Sequence, residues 1–449
     1  MTPETKSPVR EKLEQHFGKY PPESIVTTIR NYAVTSRIDL QHAIEEFFEN
    51  REQPALFGVW GAFIGDSLSL SQLFSSTKIE IGPLQHDDID AGELQRTRCF
   101  RTALWMSVEG ALPYALLLTT QKRMGVSGMS LELAVPKGDE ANQFSENFFN
   151  ELELRVSRGG TYRGKVISLD SARSWTGEGA AIKVHRLHSV TREEVILPEK
   201  TLRMVDHNIG DFIRARTHIK GLGMSGKKGL LFYGPPGTGK THTIYYLASH
   251  LEGHTTLLIT SEQVALLEDY FRLARMLQPS VVVIEDVDLI AMARQEMRVP
   301  GEILLNKLLN EMDGLREDSD VVFILTTNRV QQLEPALASR PGRIDQAIEF
   351  ALPDDECRSR LIALYGRGLD LPQDLIQSIV RKTRGVSAAF IKELMRRAAQ
   401  FQFESGAGGT LGSAAVEAAI EEMVVNSGTL NLKLLGGGNA EIGFTRGAK

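Results

Sequence analysis

Cysteine is scarce in this chain of 449 residues: Cys99 and Cys357 are the only two, and they lie far apart. That excludes a disulfide framework and a cysteine-rich zinc knuckle, and it fits a reducing, cytoplasmic setting. Long apolar runs are missing as well. The longest, such as Ala111–Leu118, are too short to span a bilayer, so no membrane span is expected. Residues Met1–Lys6 lead into charged side chains instead of an apolar core, which argues against a signal peptide. The pattern His-Glu-x-x-His occurs nowhere. His250 and His254 are four apart but have no evident third ligand, so they read as surface or core histidines. A surplus of positive charge is absent too: the net charge is −6, and no basic field for nucleic acid follows.

What is present is an ordinary globular composition, 42% hydrophobic and 24% charged, with room for two or three cores. Residues 1–23 are polar, contain Pro21-Pro22, and read as a flexible lead. Residues 24–157 read as an N-terminal α+β domain. Leu40, Ile44, Phe47 and Phe48 share one helical face, as do Phe144, Phe148, Leu152 and Val156. Residues 98–108, 114–119 and 129–135 read as strands. Trp60, Phe100 and Trp105 are expected in the core. Gly159-Gly160 opens a β connector over 158–194, with strands near 162–169 and 181–188 joined by a polar turn at 174–179. From 195 to 354 strands and helices alternate, the pattern of a doubly wound parallel α/β sheet. Residues 355–425 are helical, and 426–449 read as a flexible tail.

The most telling stretch joins an apolar strand to Gly234-Pro235-Pro236-Gly237-Thr238-Gly239-Lys240-Thr241. Gly234, Gly239, Lys240 and Thr241 satisfy the phosphate-loop spacing. Gly237 and Gly239 remove side chains so that backbone N–H groups can converge on phosphate. A helix starting near Lys240 adds its positive end. Lys240 suits the β/γ oxygens of a triphosphate, and Thr241 suits Mg²⁺. Next, the apolar run 281–284 ends in Glu285-Asp286, two carboxylates at a strand tip. One suits a metal and the other a water. Asp288 is expected to cap the following helix. Asn328 ends the strand 322–327, where an amide can hold water and γ-phosphate. Arg340 and Arg343 lie far along the chain from this phosphate loop, so a role in a neighbouring subunit's site is the sharper reading. Such an arginine can be worth about 10³ or more in rate.

Together these stretches resemble the AAA branch of the AAA+ ATPases. The phosphate loop, Leu309–Gly314, Thr326–Arg329, Leu333–Leu337 and Arg340–Asp345 carry the resemblance, which covers roughly residues 195–425. It implies ATP and Mg²⁺ as ligands and a P-loop AAA+ domain with a C-terminal helical lid. It also implies a homo-oligomeric ring, usually a hexamer, with Arg340 and Arg343 acting across the interface. Gly385–Phe390 is similar to the lid segment over the adenine. The nucleotide-binding candidates are therefore Gly234, Pro235, Pro236, Gly237, Thr238, Gly239, Lys240, Thr241 and His242, with Ser387 and Ala388 from the lid. Thr241 and Glu285 are the metal candidates. Asp286, Glu285, Asn328, Lys240, Arg340 and Arg343 are the catalytic ones.

Three departures qualify the resemblance. The family's acidic order is Asp-Glu, whereas here it is Glu285-Asp286, so by position Glu285 takes the metal and Asp286 the water. A similar order, and the Val195–Leu197 lead-in, resemble the mitochondrial Rieske-protein translocase. Residues Ser261–Pro279 contain no glycine, and Tyr270 and Phe271 read as core, so an aromatic threading loop is not expected. The zinc protease of FtsH-like members is missing. The expected activity is an ATPase ring that remodels or moves a protein client. The alternative is a slow ATP-dependent switch or scaffold without threading.

Overall fold

A computed structural model describes residues 6–49, 51–61, 68–123, 126–170, 181–288, 308, 310–314, 316, 318–331, 343–406 and 410–426. The chain divides into two compact units, residues 1–185 and 186–449. The boundary falls inside the stretch expected as a connector.

The first unit is built on one antiparallel sheet. Its strands are β1 (Ile25–Ala33), β2 (Ala55–Gly61), β3 (Ile79–Gly82), β4 (Gln85–Ile89), β5 (Thr97–Glu109), β6 (Leu112–Arg123) and β7 (Val126–Pro136). They pair in the order β1-β7-β6-β5-β2-β3, with β4 on β5. Because side chains alternate along a strand, β6 feeds two cores at once. Tyr114, Leu116 and Leu118 pack with α2 (Arg37–Glu49) and α4 (Asp139–Arg158). Ala115 and Leu117 pack with α1 (Pro8–Phe17) and α3 (Leu70–Ser75). The predicted stripes are the buried faces: Leu40, Ile44, Phe47, Phe48, Phe148 and Leu152 are all 4% exposed or less.

Two expectations fail here. Residues 8–17 are not part of a flexible lead. Ser7 caps α1 by accepting from Arg10 N, Pro8 sits in its first turn, and Val9, Leu13 and Phe17 are buried. Trp60 is not in the core but 42% exposed. Its indole donates to Pro83 O at 3.2 Å. Its ring lies flat over Gly82, where a Cβ would come within 2.5 Å of Nε1. Phe100 and Trp105 do meet in the core, edge to face at 5.8 Å. A hairpin of β8 (Val166–Asp170) and β9 (Ala181–His185) closes the unit. The turn expected at 174–179 lies outside the described residues.

The second unit holds five parallel strands: β10 (Lys228–Tyr233), β11 (Thr255–Ile259), β12 (Ser280–Ile284), β13 (Val321–Thr327) and β14 (Gln346–Glu349). Their order is β14-β10-β13-β12-β11. Every residue of β11, β12 and β13 is buried, which is why these strands read as continuous apolar runs. Neither neighbour of β10 is its successor in the chain. The strand order therefore reverses at β10, the place where doubly wound sheets bind ligands. Helices α5 (Glu199–Val205) and α6 (Phe212–Gly221) are joined through a π-helical segment, Asp206–Asp211, into one continuous helical stretch.

Helix α7 (Lys240–His250) follows the phosphate loop and α8 (Leu267–Met276) follows β11. Tyr270 and Phe271 of α8 are fully buried, as expected of core residues. The helical lid is α9 (Asp355–Tyr365), α10 (Gln373–Lys382), α11 (Ala388–Glu404) and α12 (Ser413–Glu421). Its core centres on Leu361, Ile379, Phe390, Leu394 and Val416, and Ile196 from the lead-in joins it. The tail from 427 lies outside the described residues.

Candidate functional site

Strand β10 ends at Tyr233, and the chain turns sharply at Gly234. A Cβ there would stand 2.2 Å from Phe350 O, so only glycine fits. Thr238 closes the loop by donating to Pro235 O at 2.9 Å. Gly237 has φ 74°, and a Cβ on it would come within 2.8 Å of the Ala389 methyl and 3.0 Å of Ser387 Oγ. Glycine there lets Ala389 and Ser387 of the lid pack closely against the loop. Gly239 caps α7, whose first residue is Lys240.

Lys240 is 7% exposed and its ammonium is fully engaged. It donates to Gly234 O at 2.8 Å, Pro235 O at 3.0 Å and Asn328 Oδ1 at 2.8 Å. Burial pushes its pKa down to about 8, against the opposing pull of Asp286 and Asp288. Asn328 in turn donates from Nδ2 to Asp286 Oδ1 at 2.9 Å. One amide therefore links the cation of the loop to a carboxylate of the β12 tip. Only one amide orientation satisfies both, because an ammonium donates and a carboxylate accepts. Thr241 Oγ1 donates to Glu285 Oε1 at 2.9 Å. The two acidic neighbours thus diverge: Glu285 faces Thr241 and Asp286 faces Asn328.

Backbone geometry explains how the shorter aspartate reaches that place. Asp286 is the one non-glycine residue with positive φ, 48°, among the described residues. A left-handed residue costs about 1–2 kcal/mol and persists only when its surroundings hold it. Asp286 N donates to Thr326 Oγ1 at 2.9 Å, which supplies part of that hold. Burial raises the Asp286 pKa, and the nearby Asp288 raises it further, against Lys240 and the Asn328 hydrogen bond.

Lys240, Thr241, Asp286 and Asn328 line a cavity of about 380 Å³. Phosphate-loop residues 236–243, Asp286, Thr326 and Asn328 form one wall. Val195, Ile196, Leu197, Leu361, Tyr365 and Ala388 form an apolar wall. His242 lines it and lies 3.2 Å from Glu194 O through Nε2. Ser387 caps α11, its Oγ accepting from Phe390 N at 3.2 Å, and faces Gly237. Of the residues expected at a nucleotide, Pro236, Gly237, Thr238, Gly239, Lys240, Thr241, His242, Asp286, Asn328 and Ala388 line this cavity, whereas Gly234, Pro235, Glu285 and Ser387 do not line it but bond to or pack against residues that do. Arg340 lies outside the described residues. Arg343 is not at this cavity: its guanidinium pairs with Asp313 and donates to Asn310 Oδ1 at 3.4 Å. It lines a separate cavity with Lys228, Met312 and Asp345.

Three contributors escaped the sequence reading. Asp288, expected to cap a helix, is 2% exposed and accepts from Thr327 Oγ1 and Asn328 N. Tyr365 and Lys392 reach the cavity from the lid. Lys392 was findable, because it lies four residues after Ala388 on the same helical face. Tyr365 carried no local signal.

Comparison with known proteins places this geometry. Residues 230–352 match the family described as ATPase family associated with various cellular activities (AAA). The chain is 33% identical over 222 residues to a cell division cycle protein 48 homolog of Archaeoglobus fulgidus, covering 47% of this chain and 30% of the relative. It is 31% identical over 231 residues to a proteasome-activating nucleotidase of Methanopyrus kandleri, covering 49% and 53%. It is 30% identical over 232 residues to a 26S proteasome regulatory subunit 8 homolog of Schizosaccharomyces pombe, covering 49% and 57%. The chain thus spans between 30% and 57% of the length of these three curated relatives.

Proposed function

We propose that this chain, whose residues 230–352 match the AAA family of ATPases, binds Mg-ATP, hydrolyses it, and works as one subunit of a ring that remodels or moves a protein partner. The observation that carries the reading is the Lys240–Asn328–Asp286 chain beside the Thr241–Glu285 pair. The residues fit the ligand chemically. Lys240, buried among the loop carbonyls and Asn328, is the cation a triphosphate needs. A hydroxyl and a carboxylate side by side are the hard oxygen donors Mg²⁺ takes.

Thr241 and Glu285 would hold the metal, which when bound draws charge from the β- and γ-phosphate oxygens. Lys240 neutralises the same oxygens from the loop. Asp286, with its raised proton affinity, accepts a proton from the attacking water, and Asn328 orients that water. Val195–Leu197, Leu361 and Tyr365 give the adenine an apolar slot under Ala388. Arg343 and Arg340 serve a neighbour's γ-phosphate in the ring. Two of the relatives are named for the proteasome, which makes a protein client the natural substrate class.

A slow switch is the second reading. The observation favouring it is that Arg343 is paired with Asp313 inside its own chain. The test is mass by light scattering on the full chain carrying Asp286→Asn, with and without Mg-ATP. A shift to about six subunits with nucleotide supports the ring, by analogy with closed cyclic assemblies. A monomer under both conditions leaves Arg343 with no phosphate to serve and overturns it.

A further inference from the structure

The tip of β13 is densely bonded, and two of its bonds end on one buried carboxylate. Asp288 lies in the turn after β12 and is 2% exposed. Its Oδ1 accepts from Thr327 Oγ1 at 2.8 Å and from Asn328 N at 3.3 Å. The Thr327 hydroxyl, itself fully buried, also accepts from Arg329 N at 2.9 Å. The backbone on both sides of Asn328 is thereby tied down, through Asp288 on one side and Thr327 on the other. Asn328 then has its side chain stretched between Lys240 Nζ and Asp286 Oδ1, at 2.8 and 2.9 Å. An amide can satisfy two such partners only if its backbone is fixed in register.

We propose that Asp288 is a positioning residue for the reaction: through Thr327 and the Asn328 backbone it sets the amide of Asn328 between the phosphate-loop lysine and the water-facing aspartate. It does not line the nucleotide cavity and acts on no reacting atom itself. Asp288 spends its Oδ1 on the neighbouring strand, and a buried carboxylate is worth retaining there when those donors must be held. The inference rests on the ATPase reading above for its kinetic consequence, and on geometry alone for its structural one.

The experiment compares Asp288→Ala, Asp288→Asn, Asn328→Ala and the double variant Asp288→Ala/Asn328→Ala in the full chain. Removing such a supporting partner typically costs about 10–100-fold. For Asp288→Ala, kcat is expected to fall by that amount per folded molecule, while the Kd for Mg-ATP stays within about threefold of the parent. Asp288→Asn keeps an acceptor oxygen and is expected to recover most of kcat. The double variant is expected to be no slower than Asn328→Ala alone, because groups acting as one unit are not additive. A double variant that loses the product of the two single losses overturns the proposal. So does an Asp288→Ala protein that melts earlier but keeps its kcat.

A second readout needs no turnover. In protein labelled with [15N]asparagine, the Asn328 side-chain amide pair, assigned by its loss in Asn328→Ala, is expected to shift or broaden in Asp288→Ala. An unmoved pair overturns the positioning role. If the parent protein does not hydrolyse ATP and yet the pair moves, the ATPase reading fails and the positioning role stands.

Discussion

Both sheets of this protein are covered by helices, yet only one of them carries a candidate site. The antiparallel sheet of residues 25–136 buries Tyr114, Leu116 and Leu118 on one face and Ala115 and Leu117 on the other. Its consecutive strands β5, β6 and β7 are joined by short connections, so their ends are used up in turning the chain around. The parallel sheet sends every strand to the same side. All five C-terminal tips lie at one edge, free to carry loops, and the reversal of order at β10 opens a crevice among them. Gly234, Glu285, Asp286 and Asn328 are all tip residues. The difference lies in connectivity, not composition: both sheets have full cores, and only the parallel one leaves a row of ends to be occupied by chemistry.

That contrast can be broken in order of expected effect. Lys240→Ala removes the one buried cation of the phosphate loop. ATP affinity, measured by calorimetric titration, is expected to fall by at least about 100-fold, with little change in the melting temperature of the second unit. Tight ATP binding by this variant would remove the site from the parallel sheet altogether. Leu117→Ala cuts a fully buried side chain from the antiparallel sheet. It is expected to destabilise the first unit by about 2–5 kcal/mol in denaturant titration, while ATP affinity is unchanged. A matching loss of ATP affinity would mean that the two sheets do not divide structure and function as described.

The smallest effect is a proton count. The pKa of Lys240 is about 8 in the free protein, below its ordinary value of 10.5, because the ammonium is buried. Phosphate favours the charged form, so binding raises that pKa again. At about pH 9 the free lysine is largely neutral, and binding takes up a proton. At about pH 6.5 it is already charged, and this group takes up none. Calorimetry in buffers of different ionisation enthalpy, at both pH values, reads the difference. Equal uptake at both would mean that Lys240 does not meet the phosphates.

The legible parts of the chain were those whose chemistry is local. Gly234–Thr241 announces its own turn, and four apolar residues before Glu285 and Asp286 place those carboxylates at a strand end. The all-buried strands β11 to β13 were readable for the same reason. What was not legible depended on a distant partner. The exposure of Trp60 follows from Gly82 at the end of β3 and Pro83 just after it, which nothing at residue 60 announces. Helix α1 is a polar segment whose few apolar residues find α3 only in the folded unit. The bonds of Asp288 to Thr327 and Asn328 were hidden because those partners lie about forty residues away, while the helix it was expected to cap lies outside the described residues. The left-handed turn at Asp286 was equally hidden.

One hydrogen bond joins the loop to the lid. Ala389 N donates to Gly237 O at 3.1 Å, so the crest of the phosphate loop is stitched to the first turn of α11. That helix is 17 residues long, about 25 Å at the usual helical rise. It is therefore a lever with its fulcrum at the phosphate loop. A tilt of about 5° at Ala389 swings the far end by about 2 Å over such a length, and that end carries Phe403, 68% exposed. Any displacement of the loop that tilts this helix would reach Phe403 amplified and at a distance.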